Sequence, residues 1–223
     1  MNTWTLVLTP LALEWEFLTT ALRENRATNE TQHGPLNVLF LPELKIACAV
    51  GGHGKTQFAL QAQFLYHQVA NISGLICVGA AGGLTEAVAP LDVVIAEKTI
   101  EHDFRLKFVQ RPLPEFKGHA PWLERLRDFS SPDFRTLFGP VASGDEDVIE
   151  AERARELHLA TGAIAVAWEG AGAARVARFH KSPFLEVRGV TDRADGSAPS
   201  DFKTNLKIAM KNCARVLETL ALP

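Results

Sequence analysis

The sequence predicts a single α/β domain with a central mixed β-sheet flanked by helices. Two observations carry the prediction. Short apolar runs, several nearly continuous, alternate with longer stretches of helical spacing, the pattern of strands buried on both faces between covering helices. Across residues 1–223 no internal repeat, low-complexity tract or Gly-, Ser- or Pro-rich linker divides the chain, so one domain is expected over the whole length.

In chain order, "WTLVLT" (4–9) reads as a first strand, followed by helical spacing over 11–24. "LNVLFL" (36–41) and "KIACAV" (45–50) read as strands, and 54–70 as a helix. "GLICVGA" (74–80) and "DVVIAE" (92–97) follow as strands rich in β-branched or small apolar residues. The stretch 105–140 is the least regular; its prolines and aromatics suggest an ordered loop that covers a site or a subunit contact. Beyond it come a helix over 149–161, the strand "AIAVAW" (163–168), a helix over 169–180, the strand "FLEVRGV" (184–190), and a last helix over 201–220 with Ser200 or Asp201 in "PSDF" as its cap.

The composition, 47% apolar and 22% charged, supplies an ordinary globular core, and a formal charge of -3 leaves no basic face for nucleic acid. A small molecule is the expected partner. No apolar run approaches the roughly 20 uncharged residues of a membrane-spanning helix, and no basic segment followed by a long apolar core opens the chain. Cys48, Cys77 and Cys213 are odd in number and widely spaced, which argues for reduced core thiols and a cytoplasmic protein. His and Cys residues lack ligand spacing, so neither metal nor organic cofactor is expected.

Two Gly-rich segments follow predicted strands. In "AVGGHGKT" (49–56), Ala49, Gly54, Lys55 and Thr56 fit a relaxed phosphate-loop pattern, but the strict motif begins with Gly, and no strand ending in Asp stands out as a magnesium-holding partner. The segment reads instead as a turn whose glycines let the backbone pass close to a neighbour or ligand. "VGAAGG" (78–83) lacks the glycine order of a dinucleotide fingerprint and reads as a second turn lining a crevice at the strand ends.

Taken together, "VGGHGK" (50–55), "VGAAGGL" (78–84), "EHDF" (101–104), "ASGD" (142–145), "AWEGAGAARVARF" (167–179), "PFLEVRGVTDRAD" (183–195) and "DF" (201–202) stand in an order and spacing that resembles the purine nucleoside phosphorylase and nucleosidase superfamily, most like its 5′-methylthioadenosine/S-adenosylhomocysteine nucleosidase branch. The resemblance spans nearly the whole chain and implies a nucleoside phosphorylase-like fold. It also implies cleavage of an N-glycosidic bond through an oxocarbenium-like transition state, which needs a proton donor at the base, a polar grip on the ribose and a nucleophile below the sugar.

By this resemblance Thr191 and Asp192 match the family's Ser-Asp pair, and Asp192 delivers a proton or strong hydrogen bond to N7 of the purine; taken alone, it would read as a loop cap or a partner of Arg188 or Arg193. Glu169 corresponds to the acid that accepts the 2′ and 3′ hydroxyls, a role compatible with an acid at a helix N-terminus. Trp168 stands where methylthioadenosine enzymes carry Met and gives a larger, flatter wall; Ala167 stands where some relatives have another Glu. Glu14 matches the acid that positions and deprotonates the attacking water, with Glu16 facing elsewhere on the same helix. Ala81, Gly82 and Val148 are implied as further pocket lining.

Phosphorylases of the superfamily bind their anion with arginines and a hydroxyl, whereas "TPLALEW" (9–15) carries no Arg and Ala80 stands where relatives often have Ser. Both favour water over phosphate. Asp147 occupies the place of a base-stacking Phe, so another aromatic such as Phe104 takes over or the base is held differently; Asp147 also fits a solvated loop acid. His53 replaces an apolar residue of the 5′ pocket, where it pairs with a polar or acidic 5′ tail or serves as a satisfied loop histidine. His102 and Asp103 read as structural residues near a dimer contact, and "QRPLPEFK" (110–117) resembles the loop by which one subunit closes the other's pocket, so a homodimer is implied. The expectation is a nucleosidase acting on a 5′-modified purine nucleoside of the methylthioadenosine/S-adenosylhomocysteine type. The alternatives are a futalosine-type nucleosidase, a purine nucleoside phosphorylase and a non-catalytic nucleoside- or nucleoside-triphosphate-binding protein.

Overall fold

Ten strands and six helices follow one another in the computed structural model, which describes residues 3–221. The one-domain expectation also took in residues 1–2 and 222–223, which lie outside the described residues. The elements are β1 (Trp4–Thr9), α1 (Ala12–Leu22), β2 (Asn29–His33), β3 (Leu36–Leu41), β4 (Ile46–Val50), α2 (Lys55–Gln68), β5 (Ile72–Gly83), β6 (Val93–Glu101), β7 (Glu115–Lys117), α3 (Ala120–Arg127), β8 (Thr136–Ser143), α4 (Ala151–Thr161), β9 (Ala165–Ala167), α5 (Gly170–Phe179), β10 (Phe184–Asp192) and α6 (Ala198–Ala221).

The sheet is mixed, as expected: β1 runs parallel to β4 and β5, whereas β3 pairs antiparallel with β2 and β4. Beyond β5 the strands close on themselves. β5 pairs with both β9 and β10, β10 with β6, β6 with β8, and β8 with β9, a ring of five strands attached to an open sheet. Ring strands share a buried cluster of mostly small side chains, among them Ala81, Ala96, Val141, Ala165, Ala167 and Val190.

Alternation along the central strands explains the two helical layers. Val7, Ile76 and Val78 point to the face covered by Leu18 and Leu22 of α1 and by Leu206, Met210, Cys213 and Leu217 of α6. Leu6, Leu8, Leu75 and Cys77 point to the other face, under Phe58, Ala62 and Leu65 of α2 and the alanines of α5. The small-residue run of α5 is a packing requirement: a Cβ on Gly172 would collide with the carbonyl oxygen of Lys55 at the start of α2.

Three expectations are corrected. "VGAAGG" is not a turn but the end of β5, where β9 and β10 satisfy its backbone. The irregular stretch 105–140 contains β7, α3 and the start of β8. Pro140 hides β8 from a sequence reading, yet a register shift in β6 between Ala96 and Lys98 falls opposite it and accommodates the missing N–H. Ser200 and Asp201 lie inside α6, which begins with Ala198 and Pro199, positions where a proline costs no helical hydrogen bond.

Candidate active site

The carboxyl ends of β1, β5, β9 and β10, the turn before α2 and the first turn of α6 surround a cavity of about 430 Å³, within the usual range of small-molecule sites. Glu14, His53, Ala81, Gly82, Asp147, Val148, Trp168, Glu169 and Asp192 all line it. These nine expected residues, scattered over 179 positions of sequence, meet because the carboxyl ends of the parallel strands β1, β4, β5 and β10 lie beside the segments that leave β8 and β9, which run antiparallel to them and close the ring.

Glu14 is fixed from two directions. As the third residue of α1 it reaches back to the start of its helix, where the Leu11 N–H donates to Oε2 at 2.8 Å; from β5 the Ala80 N–H donates to Oε1 at 2.7 Å. Burial pushes its pKa up to about 7; the two N–H bonds oppose the rise and the neighbouring charge of Glu169 adds to it. Gly79 is required beside it, since a Cβ there would lie 2.9 Å from Glu14 Oε1 and 2.7 Å from an Arg188 nitrogen.

Glu169 ends the link from β9 and starts α5, with only 3% of its surface exposed. Its Oε1 accepts the N–H of Gly54 at 3.1 Å and lies 3.3 Å from His53 Nδ1; its Oε2 accepts from Arg188 at 3.4 Å. Gly54 can present that N–H because its φ of 81° is open to glycine and strained for other residues. Arg188 was missed as a site residue and read only as a partner of Asp192. It is buried against Glu186 and Glu169, and although burial disfavours its charge, Cys77, Glu186 and Glu169 hold its pKa above the ordinary arginine range. The readable signal was "EVR" itself: Glu186 and Arg188 are two apart in an apolar strand and therefore share a face.

Asp192 closes β10. Thr191 Oγ1 donates to its Oδ2 at 2.7 Å and the Ala194 N–H to its Oδ1 at 2.9 Å. Burial raises its pKa, and these two hydrogen bonds offset part of the rise. Beside Glu169, the His53 ring stacks on Trp168 with centroids 4.2 Å apart. Phe202 and Lys203 of α6 also line the cavity. "DF" marked Phe202 in the motif set, but an aromatic on an amphipathic helix reads as core and neither residue was assigned to the site.

Phe104 corrects an expectation: its ring sits 5.5 Å from the Arg175 guanidinium, 40% exposed, and is not on the cavity wall of its own chain. The Gly-rich turn is braced rather than open to phosphate. Lys55 Nζ is held by Asp103 and by Glu101 at 3.4 Å, its N–H donates to Asp145 Oδ1 at 2.8 Å, and Asp145 N–H donates back to Asp103 at 2.9 Å. The Asp103 of the His-Asp pair is thus a structural brace, and its carboxyl is held below the usual range: burial opposes this, and the bonds from Lys55 and Asp145 prevail.

A crevice at the strand ends, lined by buried acids of contrasting surroundings, has the form of an enzyme site for a small polar molecule. The chain belongs to the phosphorylase superfamily, whose sequence profile matches residues 8–221. It is similar to 5′-methylthioadenosine/S-adenosylhomocysteine nucleosidases, with 27% identity to that of Mycobacterium tuberculosis over 78% of this chain and 79% of the relative, and 29% to that of Thermotoga maritima over 72% of each. Among solved structures, the Neisseria meningitidis 5′-methylthioadenosine/S-adenosylhomocysteine nucleosidase in complex with methylthio-immucillin-A is similar at 26% identity and a TM-score of 0.83 over 99% of both chains. The futalosine hydrolase of Helicobacter pylori shares the fold, with a TM-score of 0.86 at 20% identity over 99% of this chain and 97% of the other.

Proposed function

We propose that this chain is a purine nucleosidase that hydrolyses the N-glycosidic bond of a 5′-modified purine nucleoside of the methylthioadenosine/S-adenosylhomocysteine type, the whole chain acting as one catalytic domain. The observation that carries the reading is Glu14: a buried, doubly anchored carboxylate with a pKa of about 7, on the same cavity as Glu169 and Asp192. Glu14 holds the attacking water and takes its proton. Glu169 accepts both ribose hydroxyls and steadies the positive charge that grows on the sugar. Asp192, whose pKa burial raises, passes a proton or a strong hydrogen bond to N7 as the base departs. Three carboxylates around one guanidinium repel a phosphate dianion, which favours water as nucleophile.

The stacked His53 and Trp168 favour a second reading, in which the 5′ tail is polar and the substrate of futalosine type. The exposed apolar residues Phe108, Val109, Leu60 and Phe179 fit burial between two copies, and 110–117 would then close the partner's pocket, giving a homodimer. Free, buried Cys48, Cys77 and Cys213 suit a cytoplasmic enzyme. No described helix is long and apolar enough to cross a membrane.

The test is a product assay on methylthioadenosine, S-adenosylhomocysteine, adenosine, inosine and a futalosine-type nucleoside, each with and without phosphate. Free purine at equal rates in both conditions is expected. Turnover strictly dependent on phosphate overturns hydrolysis, and a preference for methylthioadenosine over every polar-tailed analogue overturns the second reading.

A further inference from the structure

Behind the cavity lies a carboxylate that the proposed chemistry does not use. Glu186, in the middle of β10, is completely buried. Its Oε1 accepts from Arg188 Nε at 2.8 Å, and its Oε2 accepts the hydroxyl of Thr99, itself completely buried on β6. Gly170, next to Glu169, lies directly against it, because a Cβ there would run into the Glu186 carboxylate. A carboxylate at this depth is costly to desolvate, and an apolar side chain would fill the strand without that cost.

The contacts of the guanidinium suggest what the cost obtains. Arg188 touches the Ala80 carbonyl at 3.3 Å, Cys77 Sγ at 3.4 Å and Glu169 at 3.4 Å; the 2.8 Å bond to Glu186 is the shortest it makes. Without Glu186 the guanidinium would be held by long contacts alone. Its full charge would also fall on Glu169 and Glu14, and a carboxylate neutralised by arginine is a weak base.

We propose that Glu186 is a positioning residue: from behind β10 it fixes the guanidinium of Arg188 and takes up its charge, so that Arg188 orients Glu169 and leaves Glu14 basic. Its kinetic consequences rest on the nucleosidase reading above. Two variants separate charge from reach. Glu186→Gln keeps the shape and loses the charge; the acid limb of kcat/KM is expected to move down by about half a pH unit or more, with kcat roughly tenfold lower and KM little changed. Glu186→Asp keeps the charge and retreats by one methylene; the limb is expected to stay while kcat falls.

Carbon-13 titration of the Glu14 carboxyl, assigned against Glu14→Gln, reads the same effect without turnover. Its midpoint is expected to drop in Glu186→Gln. An unmoved midpoint together with wild-type kinetics overturns the proposal. Should the wild type cleave no nucleoside, the nucleosidase reading falls and the titration alone decides the role of Glu186. Should Glu186→Gln not fold, Glu186→Asp decides: lowered kcat at an unmoved limb supports the proposal, and wild-type kcat overturns it.

Discussion

Glu14 and Asp192 are both raised by burial, yet their surroundings suit opposite tasks. Two backbone N–H groups aim at Glu14 and support its anion, so it can lose a proton near neutrality and accept another from water. Asp192 takes a hydroxyl and one N–H, which offset only part of the rise that burial causes, and in the reading proposed above it holds a proton for the leaving base. If Glu14 is the base, kcat/KM falls about tenfold per pH unit below about 7; a profile flat from pH 5 to 7 would remove it from that role. Asp192→Asn is expected to lower kcat by roughly 10²- to 10⁴-fold with a much smaller change in KM, as steady-state kinetics would report. Both acids were legible because motifs surround them. Arg188 was less so, since a charged residue inside a strand is explained only by the partner that folding brings to it.

At the scale of elements, the apolar runs of β1, β3, β4 and β10 were readable because both their faces are buried. β2, "NETQH", was not: it is a largely exposed edge strand held by antiparallel backbone bonds to β3, which leave no apolar pattern. β7, with three residues, is too short for any period to register. The contact between α2 and α5 sits at the threshold of the site, because Gly54 N–H holds Glu169 from the start of α2. Gly172→Ala must push the two helices apart at Lys55, at a cost of about 1–3 kcal/mol. Chemical denaturation would give the loss of stability, and a raised KM would report the loosened grip on the ribose. Unchanged stability would mean that the helices separate without strain.

At the scale of the whole molecule, the site and the stability of the fold draw on the same buried charges. The closed ring of strands brings β5 and β10 side by side, and with them Ala80, Glu14 and Arg188, into a region that solvent barely reaches. For Glu14 the folded pKa of about 7 lies above the ordinary value of 4.5, so the native chain holds a proton that the unfolded chain releases. Its contribution to stability is complete below about pH 4.5 and is lost as pH rises through about 7. The size of that loss is about 3 kcal/mol, a large part of the stability of a typical domain. Asp192 acts in the same direction, while Asp103 and Glu146, whose pKa values are lowered, act in the opposite one, so the net curve of the wild type does not isolate Glu14. Glu14→Gln does. Whatever its absolute stability, its unfolding free energy subtracted from that of the wild type should leave a difference that declines between pH 5 and 8 by about this amount in urea titrations. A difference independent of pH would mean that Glu14 ionises alike in the folded and unfolded chains, and the basic carboxylate on which the hydrolytic reading depends would be gone.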